Sequence, residues 1–439
     1  MRINGTNAVV LGAGMAGLLA ARVLVESFER VTVVERDELE PGVESRRGVP
    51  QGRHAHGLLP RGCEILGELF PGFEAELVED GAVRAELLAD FRFTFGGHVL
   101  RQAPIGVSVV QAGREFLERH VRDRVRALPG VTLRDGCDVA GLVTEGDRVT
   151  GVRVVSRRPG SAEEHLGADL VVDAMGRGAR TPAWLDKLGY PRPTEEEFKI
   201  SVGYASRLLR LPAGAELEKA VAVGAVPGRP RGMMLLAVED GRRLLTLAGI
   251  GTANHPPTDD EGFLDFAASV APADALDLIK RAEPVSPVAL HRYPSYIRRR
   301  YEQLVRFPDG LLVIGDALCS FSPVYGQGMT VAALQAVALR RSLAAGPAGL
   351  ARRYFRAAAR EIDPVWRMAI GADLALPEVP GRRSLAGRAM TAWVGRVQAA
   401  AARDAAVAEQ FMRVTGLLDP PARLVHPALV RRVLSAGWN

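Results

Sequence analysis

Gly12, Gly14 and Gly17 stand at G-x-G-x-x-G spacing within residues 7–35, NAVVLGAGMAGLLAARVLVESFERVTVVE. Glycines so spaced allow a tight turn, close approach of backbone to a pyrophosphate, and close packing of helix on strand. The helix N-terminus then faces the anion. The flanks must supply the positioning. Val9, Val10 and Leu11 form a short apolar run suited to a strand buried on both faces, residues 18–25 have helical composition, and 31–34 read as a second buried strand ending at Glu35. Glu35, about 20 residues beyond the glycines, can accept hydrogen bonds from a ribose hydroxyl. The pattern predicts a strand–turn–helix–strand unit for a dinucleotide, without distinguishing a flavin from a nicotinamide.

Two further buried strands end in an acid. ADLVVD ends at Asp173 and runs into the glycine-rich AMGRGAR; GLLVIGD ends at Asp316 and is followed by FSPVYGQGM and a helix predicted over 329–343. Ligands bind beyond the carboxyl ends of strands in an open parallel sheet, so Glu35 and Asp316 can each hold a polyol of one extended dinucleotide. The helix beginning at Gly328 directs its positive end at the 322–328 loop. Free N–H groups there suit the anionic N1/C2=O edge of a reduced flavin. The stretch GVPQGRHAHGLLPRG, residues 48–62, reads as a loop. It either packs by its own hydrogen bonds or lies against a cofactor ring, where Arg53 would counter a negative charge. His54 and His56 are two apart, which is not metal-ligand spacing on a helix.

Composition excludes several classes. With 439 residues, 47% of them hydrophobic and 24% charged, the chain reads as a soluble globular protein of more than one structural unit. A net charge of +5 is too small on this length to argue for nucleic acid. Cys63, Cys137 and Cys319 are far apart and odd in number, which argues against a disulfide framework or a zinc site and for a reducing, cytoplasmic setting. The glycine pattern argues against reading the apolar N-terminus as a secretion signal. No run reaches the roughly 18 apolar residues of a membrane span, so no membrane insertion and no metal site are predicted.

Residues 91–101 read as a hairpin turning at Gly96-Gly97. Phe91, Phe93 and Phe95 share one face of it, as sheet core or as the wall of an apolar pocket. Arg114 opens an amphipathic helix over 114–128, and strands follow at 131–134, 141–143 and 149–155. Residues 184–288 read as a mixed α/β insertion with antiparallel strands at 202–207, 232–238 and 242–249. Long helical patterns follow at 350–370 and 384–415. The expected fold is therefore α/β: a Rossmann-type dinucleotide-binding domain (1–74, 102–183 and 289–346), a substrate domain with an antiparallel sheet (75–101 and 184–288), and a C-terminal helical region (347–439).

Taken together, VVLGAGMAGL…VTVVE, ADLVVDAMGRGAR and GLLVIGDALCSFSPVYGQGMTVA resemble class A FAD-dependent monooxygenases of the para-hydroxybenzoate hydroxylase fold. The P-x-x-G-Q-G-M loop and V-P-Q-G-R-H stretch are most similar to the branch of squalene epoxidase and the bacterial polyether epoxidases. The resemblance implies that Gly12, Gly14, Ala16 and Gly17 bind the FAD pyrophosphate. It implies that Glu35 and Arg36 lie at the adenosine ribose, and that Arg114, Asp173 and Asp316 line the rest of the cofactor. Pro323, Gly326, Gln327, Gly328 and Met329 would border the isoalloxazine, with residues 49–54, including Arg53, on its other side. His54, Phe91, Phe93, Phe95 and Tyr325 would face a lipophilic or aromatic substrate.

The implied chemistry is insertion of one atom of O₂ through a C4a-hydroperoxyflavin, so no side chain need be a catalytic nucleophile. Epoxidation of an alkene in a polyketide or terpenoid intermediate comes first. Arene hydroxylation is the alternative, followed by prenyl double-bond reduction or a flavoprotein without turnover. Halogenation is disfavoured, since neither the expected lysine nor a W-x-W-x-x-P segment is present. NADPH or NADH would supply electrons. Ala174, where many hydroxylases carry glycine, leaves open whether they arrive directly or through a separate flavin reductase.

Overall fold

The computed structural model describes residues 5–39 and 50–436. Val49, and with it the start of the loop read over 48–62, lies outside the described residues. A five-stranded parallel sheet runs Leu311–Val313, Leu170–Asp173, Gly5–Leu11, Phe28–Val34, Val131–Arg134. Val10, Leu11, Val31, Val33, Val171 and Val172 are fully buried, as continuous apolar runs require when both faces are covered. The helices Met15–Leu24, Gly328–Ala344 and Leu350–Asp373 pack into one large apolar core with this sheet. A separate three-stranded antiparallel sheet, Cys137–Glu145, Arg148–Ser156 and Glu163–Gly167, covers the other face through Val149, Val152 and Val154. Its third strand has no signal in the sequence: Glu163, Glu164 and His165 are exposed and polar on an edge.

The second large sheet has nine strands, most of them antiparallel. Its order is Cys319–Ser320, Ala289–Arg299, Glu195–Arg210, Arg243–Ile250, Arg231–Ala237, Ala220–Val223, Phe91–Phe95, His98–Val99, with Glu283–Pro284 beside Glu195–Arg210. Here the expected boundary shifts. Residues 289–299, grouped by sequence with the dinucleotide-binding segments, pair along their length with Glu195–Arg210 and belong to the antiparallel sheet. The hairpin at 91–101 is present, and its first strand joins this sheet beside Ala220–Val223.

Strand alternation gives the sheet two distinct faces. One carries Ala205, Leu209, Val221, Leu235, Leu245 and Leu247 and is covered by the helices Asp260–Ala268 and Ala273–Arg281. The other carries Tyr204, Ser206 and Thr246 at its centre, where Ser206 and Thr246 are directly paired. Toward its edge stand Phe91 and Phe93 with Ala220 and Ala222. The single helix expected over 384–415 is two helices, Leu385–Ala401 and Ala405–Thr415. Asp404 adopts an extended conformation between them, and its Oδ1 accepts hydrogen bonds from the N–H of Ala406 (2.9 Å) and Val407, capping the second helix.

Candidate flavin site

The three motif glycines do different work. Gly12 has φ +103°, and a Cβ there would lie 2.7 Å from the Ala174 carbonyl oxygen. A Cβ on Gly17 would lie 1.9 Å from the Gly12 carbonyl oxygen. Both positions demand glycine for packing. Gly14 is different: a Cβ there meets nothing within 4 Å, so the space above the start of helix Met15–Leu24 is open. Glu35 is buried and braces this turn. Its Oε2 accepts the Ala13 N–H at 2.8 Å and its Oε1 the Asp37 N–H at 3.0 Å. Arg36 is exposed beside Asp37, at 3.7 Å.

Ala16 connects this turn to the next acid. A Cβ on Gly315 (φ +71°) would lie 2.5 Å from the Ala16 side chain, so the turn carrying Asp316 rests on the glycine-rich loop. The Gly315 N–H also donates to Gln335 Oε1 at 2.7 Å, fastening the turn to helix Gly328–Ala344. Asp316 is exposed at the mouth of a cleft whose walls crowd its carboxyl. That crowding strips away solvation and raises the carboxyl above the usual range, and Arg114 and Arg177 pull it back down. Arg114 opens the helix Arg114–Arg126, bonds Glu118 at 3.3 Å, and keeps its buried Nε without a partner. Arg177 donates to the carbonyl and, at 2.9 Å, to the hydroxyl of Ser295, and sits over the Tyr293 ring at 5.0 Å. Asp173, by contrast, does not face the cleft. It is fully buried, and its oxygens accept from the Met175 N–H (3.0 Å) and the Thr181 hydroxyl. These bonds hold the AMGRGAR turn.

The 323–328 loop closes the other end. Gly326 has φ +63°, and a Cβ on it would meet the Gly57 backbone at 3.5 Å. This loop is therefore in contact with the histidine-containing loop. Gln327 is buried with Oε1 unpartnered, Pro323 is half-buried, and Gly328 faces open space. Met329 is buried in the core beneath them. Tyr325 donates its hydroxyl to Asp373 at 2.7 Å. An extended flavin dinucleotide fits this donor set: open space at Gly14 and Gly328, a carboxylate flanked by two arginines midway, and polar atoms left unpartnered at Arg114 and Gln327.

On the sheet side His54 is buried, and its Nδ1 meets the Ser206 hydroxyl at 2.7 Å. Ser206 meets the Thr246 hydroxyl at 2.6 Å, and Thr246 Oγ1 accepts the Ala55 N–H at 2.9 Å. His54 Nε2 is buried without a partner. The His291 ring lies 5.8 Å away and the Tyr204 ring 6.1 Å. Burial, then His291 and the exposed Arg53, push His54 down to about 4. Burial also lowers His291, and burial with Arg114 brings half-buried His56 to about 3. All three imidazoles are therefore neutral near pH 7. Phe91, Phe93 and Phe95 are further out. They stack on one another at 5.2 and 5.6 Å, and Phe411 of the C-terminal region meets Phe95 edge-on at 5.7 Å. Phe91 and Phe93 are core between the sheet and those helices.

A family model described as an FAD binding domain matches residues 5–359. The chain belongs to this family. It is an FAD-dependent monooxygenase, similar to Protein Rv3254 of Mycobacterium tuberculosis, with 39% identity over 94% of this chain and 90% of that one. It also resembles kynurenine 3-monooxygenase of Salinispora arenicola (29%, covering 77% and 72%) and squalene epoxidase 3 of Arabidopsis thaliana (23%, covering 76% and 59%). Among solved structures, flavin-dependent brominase Bmp2 superposes with TM-score 0.70 at 13% identity over 98% of each chain. p-Nitrophenol 4-monooxygenase PnpA of Pseudomonas putida does so with TM-score 0.66 at 16% identity, over 96% of this chain and 100% of that one. At such identities these two show the fold alone.

FAD is thus the monooxygenase's cofactor, and a reduced nicotinamide is the electron source typical of its family. No helix among the described residues is long and apolar enough to cross a membrane. Sequence reading missed Ser206, Thr246, His291, Arg177 and Gln335. The first three are polar residues at alternate strand positions, indistinguishable in sequence from a solvated face. Arg177 had a signal, since it lies inside the second glycine-rich turn.

Proposed function

We propose that this monooxygenase hydroxylates an aromatic or enolic substrate that itself carries a hydroxyl group. The observation that carries this reading is the unpartnered, buried Nε2 of His54 on the inner face of the nine-stranded sheet. A buried polar atom without a partner costs free energy unless a ligand satisfies it. The two serine/threonine hydroxyls behind His54 also give it a choice of tautomer. With Thr246 donating to Ser206 and Ser206 to Nδ1, the ring proton sits on Nε2, which then donates to a phenolate oxygen. With both hydroxyls reversed, Nε2 is bare and accepts a phenolic proton. A neutral imidazole suits both states.

Bound FAD, once reduced, supplies the activated oxygen. The chain's own residues hold the phosphates at Gly14 and the cofactor's polyol near Asp316. They leave water little access to the His54 side and keep the substrate's hydroxyl oriented. Deprotonating that hydroxyl makes the ring electron-rich where oxygen is inserted. Such a role is supported by a likeness to kynurenine 3-monooxygenase, whose name denotes oxygenation of kynurenine at its position 3. Alkene epoxidation is the second reading, favoured by the likeness to squalene epoxidase. For electron supply, Ala174 packs against the glycine-rich loop, in the turn where the family resemblance leads one to expect glycine, which supports delivery by a separate reductase.

The test is ¹⁸O₂ incorporation by FAD-loaded enzyme with NADPH, with and without a flavin reductase, across hydroxyarenes and hydroxyl-free polyenes. One ¹⁸O in a hydroxyarene, lost with His54→Ala, is expected. Epoxidation of a hydroxyl-free polyene at an undiminished rate in His54→Ala overturns the hydroxylation reading.

A further inference from the structure

Asp373 is the last residue of the helix Leu350–Asp373, far in sequence from every glycine-rich motif, and it is fully buried. Its two oxygens are divided between two phenols. Oδ1 accepts the hydroxyl of Tyr325 at 2.7 Å, and Oδ2 accepts that of Tyr296. Tyr325 belongs to the loop beside Gly326 and Gln327, and Tyr296 to the strand Ala289–Arg299. One carboxylate therefore joins three units: the C-terminal helical region, the antiparallel sheet and the cofactor loop. The titratable groups facing it from those elements are Tyr325, Tyr296 and Tyr204, and Tyr204 is itself bonded to Ser322 of the same loop at 3.1 Å.

Burying a carboxylate among phenols is costly, and burial raises Asp373 to about 6 against the opposing pull of its two tyrosine bonds. An amide would avoid that cost but could not replace the geometry. A carboxylate accepts from both hydroxyls at once, whereas an asparagine offers one oxygen acceptor and an N–H₂ that only donates. A costly group kept where a cheaper one would fold marks a functional constraint.

We propose that Asp373 is the positioning residue of the flavin loop: by accepting the Tyr325 hydroxyl it sets the loop that precedes helix Gly328–Ala344 in the conformation that binds FAD. The C-terminal helical region thereby acts on the cofactor through Tyr325, without touching it. Tyr296 anchors the other oxygen, so that the carboxylate itself cannot turn. This rests on family membership and on the 323–329 loop bordering the ring, and not on the substrate proposed above. The two readings fail separately, because the experiment contains no substrate.

The full-length apoprotein is titrated with FAD while protein and flavin fluorescence and visible circular dichroism are followed, and apoprotein melting is recorded alongside. Asp373→Asn is expected to raise the FAD dissociation constant at least tenfold and change the flavin dichroism. Its melting temperature at pH 8 should equal or exceed that of the parent. Tyr325→Phe should weaken FAD likewise, and Tyr296→Phe by less than threefold. In the parent, FAD affinity should fall as pH drops through about 6 and Asp373 takes up a proton; in Asp373→Asn that break should vanish. Should Asp373→Asn fail to fold, Tyr325→Phe, which leaves the carboxylate in place, decides alone. Parental affinity and dichroism in Tyr325→Phe overturn the proposal, and so does an equal loss in Tyr296→Phe.

Discussion

Replacing Gly14 by alanine separates folding from cofactor binding. Gly14 has φ −77° and ψ 177°, which any L-residue adopts, and an added Cβ would meet nothing within 4 Å. Restricting the unfolded chain stabilises the protein by about 0.4–1 kcal/mol. Alanine is a poorer N-cap than glycine, by about 1 kcal/mol at most, which offsets that gain. The apoprotein should therefore melt within about 3 °C of the parent. The cofactor should not be tolerated in the same way. The methyl fills the space over the helix N-terminus where a phosphate must approach the N–H groups. Losing one charge-assisted hydrogen bond costs about 1.5–3 kcal/mol, a rise in FAD dissociation constant of about 10- to 150-fold. Fluorescence titration and a melt of the same apoprotein read both quantities. Gly17→Ala is the control with the opposite pattern. Its Cβ would lie 1.9 Å from the Gly12 carbonyl oxygen, so backbone must move and the fold itself is weakened, by about 3 kcal/mol. Parental FAD affinity in Gly14→Ala would refute the pyrophosphate assignment, and a collapsed apoprotein would refute the packing argument.

Two further outcomes concern stability. His54 is held down to about 4 in the folded chain against an ordinary value of 6.5, so between those values the unfolded chain binds a proton that the folded chain does not. Stability should fall as pH drops from 6.5 to 4, by about 3 kcal/mol from this residue, and denaturant titrations of His54→Gln should show a shallower acid slope; an unchanged slope would contradict the burial. Asp404→Ala removes the cap of helix Ala405–Thr415 and the ion pair to Arg432 at 2.9 Å, and should cost about 1 kcal/mol. Asp404→Asn, which keeps a capping oxygen, should recover most of that loss in a thermal melt.

The legible part of the site was local. Gly12, Gly14, Gly17 and Glu35 lie within one strand–turn–helix–strand unit, so their spacing alone states their geometry. The acids ending the strands were equally visible, yet their roles diverged. Asp316 opens to the cleft beside Arg114 and Arg177, while Asp173 turns inward to Thr181 and Met175. Identical sequence patterns cannot say which way such a carboxylate turns, because neighbouring turns decide it. The aromatic triplet shows the same limit. Alternation put Phe91, Phe93 and Phe95 on one face, but only packing of the C-terminal helices determined what covers them.

By itself the sequence determined the dinucleotide unit, the α/β class, an antiparallel insertion and a helical C-terminal region, because hydrophobic period and glycine placement act over a few residues. Tertiary structure decided the rest. It drew residues 289–299 into the nine-stranded sheet, since strand partners are chosen by pairing across the fold and this arginine- and tyrosine-rich run has no continuous apolar signal. It also brought His54 to Ser206 across 152 residues of chain and Asp373 to Tyr325 across 48. Such pairs carry no signal in sequence, because a polar side chain becomes costly, and so informative, only once folding has removed it from water and left it one partner to find.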